Sequence, residues 1–356
     1  MQGNVTGGGG LIELLHGQAL AEFRARVDLT KANEPVHNGE WAKSMQALPF
    51  TTKVNKSITR IVEWIIYYEG QVYISFSGGK DSTVLLHLCR YVFPEIQGLF
   101  INTGLEYPEN VEFALSIENV KEIKPRISYK KVIEEYGYPV PTKEIAHTVR
   151  WARKGSEWAL NKLNGTKLGK DGKKSKYCCE KWKFLIDAPF KVSEECCKVM
   201  KKEPAYEFER QSGKKPIIGT TAEESGQRNS DWLTHGCNAF DNERPKSNPL
   251  SFWTEQDILR YIKEFNLPYS AAYGDIKQKE SGEYYVTGAP RTGCMGCMFG
   301  VHLEPMPNRF QKMAVTHPKH YDAYINKLGE GEILDYIGVD YRPSSQLTLF
   351  NNEEEY

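Results

Sequence analysis

An α/β protein built on a doubly wound, mainly parallel sheet is predicted by three observations. Short buried-type apolar runs alternate with helical patterns from residue 57 to the helix opened at Pro108. Each run ends in a polar or Gly-containing turn. One of those turns, Ser77-Gly78-Gly79-Lys80-Asp81-Ser82, leads straight into a helical pattern. Strands that alternate with helices pair in parallel, because a parallel pair needs a long crossover and not a hairpin. In such sheets ligands collect beyond the carboxyl ends of the strands.

The elements follow in order. Residues 1–10 are Gly-rich and expected to be mobile, and 11–45 read as helix and loop with no evident chemistry. Ser57 to Tyr68 carries Ile58, Ile61, Val62, Ile65 and Ile66 at helical spacing, and Gly70 is its expected C-cap. A strand is expected at 71–76 and a helix at 83–92. Leu99-Phe100-Ile101 reads as a second buried strand that ends at Asn102-Thr103-Gly104, and Pro108 opens the next helix. The rule for parallel sheets puts Ser77–Ser82 and Asn102–Gly104 on one rim. Pro216-Ile217-Ile218-Gly219 is a further short strand running into Thr220-Thr221-Ala222-Glu223-Glu224-Ser225. Thr254 is a good N-cap for a helix with Ile258, Leu259, Tyr261 and Ile262 inward.

Composition narrows the function. Lys+Arg and Asp+Glu both count 46, so the formal net charge of zero gives no global pull toward nucleic acid or membrane, and any such partner needs a local patch. The segment 161–183 supplies one candidate, with Lys162, Lys167, Lys170, Lys173, Lys174, Lys176, Lys181 and Lys183. It reads either as a solvated loop or as a phosphate-backbone contact surface, with tRNA or DNA as the partner. No stretch approaches 18 consecutive apolar residues, and the N-terminus has neither a basic n-region nor an apolar h-region. No membrane partner is expected, and the expected compartment is the cytoplasm, where thiols stay reduced. The eight cysteines therefore need a reason other than disulfides. Cys89 lies in an apolar helix and reads as core. The other seven fall between 178 and 297, too many for packing alone.

Two constellations carry chemistry. In Ser75-Phe76-Ser77-Gly78-Gly79-Lys80-Asp81-Ser82, a strand–turn–helix context puts backbone N–H groups and a helix N-terminus at an anion. The glycines let the backbone approach oxyanions, Lys80 adds charge, Asp81 can hold hydrated magnesium, and Ser77 and Ser82 can donate hydrogen bonds. The spacing is not that of a Walker A loop. The second constellation is Cys294-Met295-Gly296-Cys297, with the tandem pairs Cys178-Cys179 and Cys196-Cys197 and a lone Cys237. One C-x-x-C is compatible with zinc, a redox pair or a cluster. Adjacent cysteines seldom both reach one zinc, whereas a larger four-iron cluster can be gripped from several loops.

The first turn resembles the S-G-G-K-D-S pyrophosphate loop of N-type ATP pyrophosphatases and their sulfonucleotide-reductase relatives. Cys196-Cys197-Lys198-Val199-Met200-Lys201-Lys202-Glu203-Pro204 resembles the C-C-x-x-[RK]-K-x-x-P segment of adenylylsulfate reductases. Gly219 with Glu224, Ser225 and Arg228 resembles that family's nucleotide-site segment. Asn248-Pro249-Leu250 through Trp253-Thr254 and Asp257-Ile258 to Leu267-Pro268-Tyr269 resembles its P-[LI]-x-x-W-[ST]-x-x-D-[VI] helix. The resemblance spans roughly 57 to 300 with four motifs in order, and it is to the phosphoadenosine phosphosulfate reductase family in the broad sense.

That resemblance implies an adenine nucleotide alpha hydrolase-like fold with an iron–sulfur region. It implies an extension over 1–50, a nucleotide- and cluster-binding catalytic domain over 51–300 and a helical tail over 301–356. It implies a 4Fe-4S cluster held by Cys196, Cys197, Cys294 and Cys297, with Cys237 an alternative fourth ligand. Reductases of the family end in a tail with a catalytic E-C-G motif; here Asp340 to Phe350 stands at that place, and no cysteine follows Cys297. The intact S-G-G-K-D-S resembles the version of members that cleave ATP between the α and β phosphates. The expectation is therefore ATP-dependent activation of an acceptor followed by sulfur transfer, from a donor such as a cysteine desulfurase. The alternative is a sulfonucleotide reductase that releases sulfite. The expected nucleotide site comprises Ser75, Ser77, Gly78, Gly79, Lys80, Asp81, Ser82, Asn102, Thr103, Gly104, Gly219, Glu224, Ser225 and Arg228, with Lys80 and Asp81 catalytic, Mg2+ as cofactor and ATP as substrate.

Overall fold

A computed structural model describes Ala25 and residues 37–343 of the chain. The expectations for residues 1–10, for most of 11–45 and for the tail beyond 343 lie outside them. The chain divides into two compact units. The first is the described part of Met1–Asn102 with Tyr107–Ile123 and Ala205–Thr292; the second is Thr103–Glu106, Lys124–Pro204 and the described part of Gly293–Tyr356. The units cut across the 51–300 span, because the central sheet takes its last parallel strands from residues beyond 214 while the segment between adds no strand to it.

The first unit holds a six-stranded sheet in the order β3-β2-β1-β4-β6-β5. Its strands are β1 (Val72–Phe76), β2 (Gly98–Ile101), β3 (Val120–Ile123), β4 (Lys215–Ile218), β5 (Asn238–Ala239) and β6 (Lys246–Ser247). All pairs are parallel except β5 with β6. β1 pairs Ser75 with Leu99 on one side and with Ile218 on the other. The strand order reverses between β1 and β4, which is where a doubly wound sheet opens its crevice. A separate ribbon pairs β7 (Ile276–Gln278) with β8 (Tyr284–Val286).

Both sheet faces are covered, as the near-continuous apolarity of β1 requires. Ile74 and Phe76 join Ile61, Trp64, Ile65, Leu85 and Leu88, carried by helices Phe50–Tyr67 and Lys80–Val92, together with Trp253, Ile258 and Ile262. Each buried aliphatic side chain here contributes roughly 1.5–3 kcal/mol. On the other face Tyr73 and Leu99 pack with Phe208. Cys89 is fully buried in this core. The helix expected over 57–68 begins earlier, at Phe50, and Gly70 closes it at positive φ with its N–H on Ile65 O at 2.9 Å.

The tryptophan motif proves to be scaffold. Trp253 Nε1 donates to Ser57 Oγ (2.8 Å), which donates to Pro249 O (2.8 Å). Thr254 and Asp257 form a capping box on helix Glu255–Glu264, and Asp257 also pairs with the buried Lys53 ammonium at 2.5 Å.

The second unit is mostly helical. It contains helices Tyr129–Glu135, Lys143–Ala152, Glu157–Asn164, Arg309–Thr316, Pro318–Asp322 and Glu330–Tyr336, a 3-10 segment Glu180–Ile186, and π-helical turns at Lys198–Lys202 and Ala323–Lys327. Among the described residues its only β pairing is two isolated bridges, Tyr138 with Val192 and Leu168 with Lys174. Asp340 and Arg342 are tied back by Asn308 Nδ2 on Asp340 O (2.6 Å) and Gln311 Nε2 on Arg342 O (3.0 Å).

Candidate nucleotide site and cysteine pocket

The helix after β1 starts at Lys80, three residues before the pattern Thr83–Leu88 suggests, with Gly79 as N-cap. Lys80, Asp81 and Ser82 thus form its first turn, where N–H groups have no carbonyl four residues back and a positive dipole end faces outward. Gly78 sits at φ +71, and a Cβ there would lie 2.6 Å from Asn110 O; only glycine fits. Gly219, at the end of β4, comes as close. A Cβ would stand 3.0 Å from Asp81 O and 3.1 Å from Ser82 Cα, so strand end and helix start touch backbone to backbone.

The serines brace the turn. Ser77 N donates to Ser82 Oγ (3.2 Å), the two hydroxyls meet at 3.1 Å, and Ser82 Oγ donates to Gly79 O at 2.9 Å. Lys80 N donates to Tyr273 OH (3.1 Å), which meets Thr292 Oγ1 at 2.7 Å. Asn110 Nδ2 donates to the same Thr292 oxygen at 2.7 Å, and Ser270 Oγ donates to Asn110 Oδ1 at 2.5 Å. The buried Lys80 ammonium bonds Pro290 O (3.0 Å) and pairs with Glu255 at 3.3 Å.

Burial pushes the Asp81 carboxyl up, against the pull of the Lys80 ammonium. The Arg228 guanidinium also pulls it down, and as a carboxylate in the first turn of the helix Asp81 has the donor chemistry that a hydrated divalent cation takes. Ser225 caps helix Gly226–His235 by accepting Arg228 N at 3.2 Å, and the Arg228 side chain pairs with Glu224. Burial lowers the Arg228 guanidinium, with Asp81 pulling it up and Arg291 pushing it down, so Arg228, Arg291 and Asp81 share one electrostatic neighbourhood. The expected rim trio is divided. Asn102, in the first unit, donates to Glu122 Oε1 at 2.7 Å. Thr103, in the second, donates from N (3.0 Å) and Oγ1 (2.8 Å) to Glu106 Oε2, and Gly104 stands beside it at φ +74.

Four of the cysteines line one pocket in the second unit: Cys196, Cys197, Cys294 and Cys297, with Leu105, Tyr129, Pro139 and Tyr324. Cys196 and Cys197 are the helical residues that lead directly into the π-helical segment, a local widening common at functional sites. Cys294 and Cys297 face in from a turn fixed by Met295 N on Leu105 O (2.8 Å) and by Arg309 Nη1 on Cys297 O (2.7 Å). Gly296 is obligatory there, since a Cβ would strike the Tyr324 ring at 2.2 Å.

Burial pushes the thiols of Cys196, Cys294 and Cys297 up, Cys294 to about 11 even with Lys201 pulling it down. Burial tends to lower the Lys201 ammonium, but Cys294 and Glu106 outweigh it and hold it up; its Nζ lies 3.2 Å from Glu106 Oε1. Among the described residues no three His, Cys, Asp or Glu side chains converge on a single metal position. Four thiols on one pocket are a soft donor set of the kind that both zinc and iron–sulfur clusters take.

Cys178, Cys179 and Cys237 do not line this pocket. Cys237 belongs to the first unit, where Asn248 N bonds its carbonyl. Cys179 N donates to Lys162 O, and Cys178 Sγ lies 3.5 Å from Lys167 O. Tyr273, Thr292, Asn110, Glu255, Arg291 and Lys201 escape sequence reasoning as site residues. Only Lys201, inside the tandem-cysteine motif, carries a signal.

The profile of the phosphoadenosine phosphosulfate reductase domain matches residues 71–164 and 161–298. The chain belongs to the phosphoadenosine phosphosulfate reductase family. Among curated relatives, the adenosine 5'-phosphosulfate reductase of Staphylococcus haemolyticus (strain JCSC1435) is 26% identical over 253 residues, covering 69% of this chain and 79% of that protein. The protein of the same description from Bacillus cereus (strain AH187) is 26% identical over 247 residues, covering 69% and 81%. Among solved structures, phosphoadenylyl-sulfate reductase from Candida auris in its phosphate complex is a remote likeness, with TM-score 0.35, 16% identity, and 66% and 90% of the two chains covered. As a member of that family the chain is an enzyme. Among the described residues no helix is long and apolar enough to cross a membrane.

Proposed function

We propose that this family member cleaves ATP between the α and β phosphates, activates an acceptor as its adenylate, and transfers sulfur to it. The observation that carries the reading is the complete Ser77–Ser82 turn at the β1/β4 switch point. Gly78 and Gly79 open the backbone to a pyrophosphate, and the first helical N–H groups face it. Lys80 would exchange Pro290 O and Glu255 for phosphate oxygens and offset the charge that develops as pyrophosphate leaves. Asp81 would hold magnesium, whose chemistry is to draw charge from the phosphate oxygens. Arg228, which interacts with Asp81, and Arg291 beside Arg228 would complete an anion site.

The acceptor oxygen attacks the α phosphorus and pyrophosphate departs. A hydrosulfide sulfur then displaces AMP, which leaves with the acceptor's former oxygen; a persulfide in the same role would leave a mixed disulfide that an external thiol must reduce before the sulfur is delivered. Cys196, Cys197, Cys294 and Cys297 would hold a 4Fe-4S cluster, which supplies a site for handling sulfur or electrons. Tyr129 and Tyr324 close its pocket, and Lys201 offsets thiolate charge. A cysteine desulfurase is the class of donor that fits such chemistry, and a cytoplasmic setting fits eight free cysteines.

The reductase names of the relatives favour a second reading, in which adenylyl sulfate binds the same turn and sulfite is released. Product analysis separates the two. Anaerobic protein with magnesium and ATP should yield AMP and pyrophosphate. Sulfite from adenylyl sulfate in the presence of a thiol reductant, with no pyrophosphate from ATP, would overturn the first reading in favour of the second.

A further inference from the structure

The segment 143–183 is unlike the rest of this neutral chain. It carries twelve Lys and Arg against four Asp and Glu. Part of the lysine loop is not a solvated loop. Lys162 is buried, with Nζ 2.6 Å from Glu144 Oε1 and 5.8 Å above the Trp158 ring. The loop after it is folded back by Ser175 N on Lys167 O, Gly169 N on Lys173 O and Cys179 N on Lys162 O. Six exposed lysines, Lys154, Lys170, Lys173, Lys176, Lys181 and Lys183, form no ion pair with a carboxylate among the described residues.

Large aromatic rings stand in the open on the same segment: Trp151 is 38% exposed, Trp158 41%, Tyr177 56% and Phe184 40%. Tryptophan is usually well covered. Here His147 stands between the two indoles, stacked on Trp158 (5.6 Å between centroids, 29°) and tilted toward Trp151 (6.1 Å). The Lys154 ammonium lies 5.4 Å from the Trp151 centroid. A solvated lysine loop requires no such rings.

We propose that the helices Lys143–Ala152 and Glu157–Asn164 with the loop 165–183 bind single-stranded nucleic acid, the exposed indoles stacking bases and the unpaired lysines tracking phosphates. Duplex bases are hidden from aromatic platforms, whereas every unpaired base offers a π-face. The binding stands without the reaction proposed above. That the bound strand is the sulfur acceptor rests on that reading.

The test is fluorescence anisotropy with the full chain and no nucleotide. The probes are oligo-dT and oligo-U of about 16 nucleotides, a duplex of the same length, and phosphatidylserine vesicles, between about 50 and 200 mM salt. Single strands should bind tightest. Trp151→Ala and Trp158→Ala should each weaken them by about fivefold or more, with Trp158→Phe retaining most of the affinity. Changing Lys170, Lys173, Lys176 and Lys181 together to Gln should flatten the salt slope by up to about three units, at roughly 0.7 per phosphate on a single strand. Preference between oligo-dT and oligo-U names the source of the strand, and either one supports the proposal. ATP cleavage assayed without any strand should be unchanged in these variants, which separates failure here from failure of the proposed reaction. No binding at the lowest salt overturns the proposal. So does duplex binding as tight as single-strand binding with the tryptophan variants unaffected, or binding to vesicles alone.

Discussion

Between Ser77 and Ser82, six consecutive residues supply backbone N–H groups, two hydroxyls, an ammonium and a carboxylate, and a regular strand and helix aim them. The cysteine pocket instead draws its thiols from two segments far apart in sequence, and a π-helical turn and a tight Gly-containing turn present them. Secondary structure positions the first site; tertiary packing of irregular backbone positions the second. A site of the first kind should tolerate change in its surroundings and fail when its own residues change. A site of the second kind should lose its occupant when any one wall residue goes.

The largest expected effect is on the pocket. Cys294→Ser or Cys297→Ser should abolish nearly all iron binding, where wild-type protein purified anaerobically carries about four irons. Iron and labile sulfide assays with the visible spectrum read this directly. Stoichiometric zinc with no iron after anaerobic reconstitution would remove the cluster and, with it, this half of the comparison.

Next in size is the scaffold beneath the nucleotide turn. Asp257→Ala removes the capping box and leaves the buried Lys53 ammonium without its partner. Loss of one member of a buried pair costs about 3–5 kcal/mol, which urea unfolding measures. The replacement Asp257→Asn keeps the cap and should be milder on the helix. Equal, small effects of both would mean that the motif is held by something other than this pair.

The same contrast explains what is legible in the sequence. β1, the turn and the helix after it show as an apolar run, glycines and a helical period, all local signals. Only the helix start lies earlier than its pattern suggests, since Lys80, Asp81 and Ser82 read as turn residues until Gly79 is seen to cap. Thr254 is legible as an N-cap because capping is local too. Tyr273, Thr292 and Asn110 are not legible. They reach the turn from separate segments, and nothing in their own neighbourhoods marks them. The cysteines are legible by number and spacing. Their wall is not, because Tyr129 and Tyr324 look like ordinary core aromatics. The segment 161–183 shows its charge but not its fold, and Lys162 turns from an exposed cation into a buried one once Glu144 comes within reach.

The nucleotide turn itself gives the third test. Lys80→Ala and Asp81→Ala should each slow α–β cleavage by about a hundredfold or more, in the range of lost electrostatic stabilisation of about 2.7–4 kcal/mol. Nucleotide affinity should fall less than turnover. Wild-type rates in both variants would show that the turn is a mere strand–helix connection.

The smallest effect concerns a group in the second unit that the pocket chemistry does not use. Glu330 is fully buried; its Oε1 accepts Tyr129 OH at 2.7 Å, and its Oε2 has no hydrogen-bond partner among the described residues. Burial holds its carboxyl well above the usual carboxylate range, against the hydrogen bond from Tyr129. Below about pH 4.3, the ordinary glutamate value, folded and unfolded chains both keep the proton and stability is fully present. As pH rises, the unfolded chain releases its proton while the folded one retains it. Stability therefore falls, by at most about 1.4 kcal/mol per pH unit, until the folded state ionises too. Glu330→Gln cannot ionise and removes this slope. The difference in unfolding free energy between variant and wild type, taken from urea titrations at matched iron content, should therefore shift in the variant's favour as pH rises from about 5 to 8. Other titrating groups cancel in that difference. Parallel stability curves would mean that Glu330 already finds a compensating cation in the folded protein, and the second unit would then be as well satisfied internally as the first.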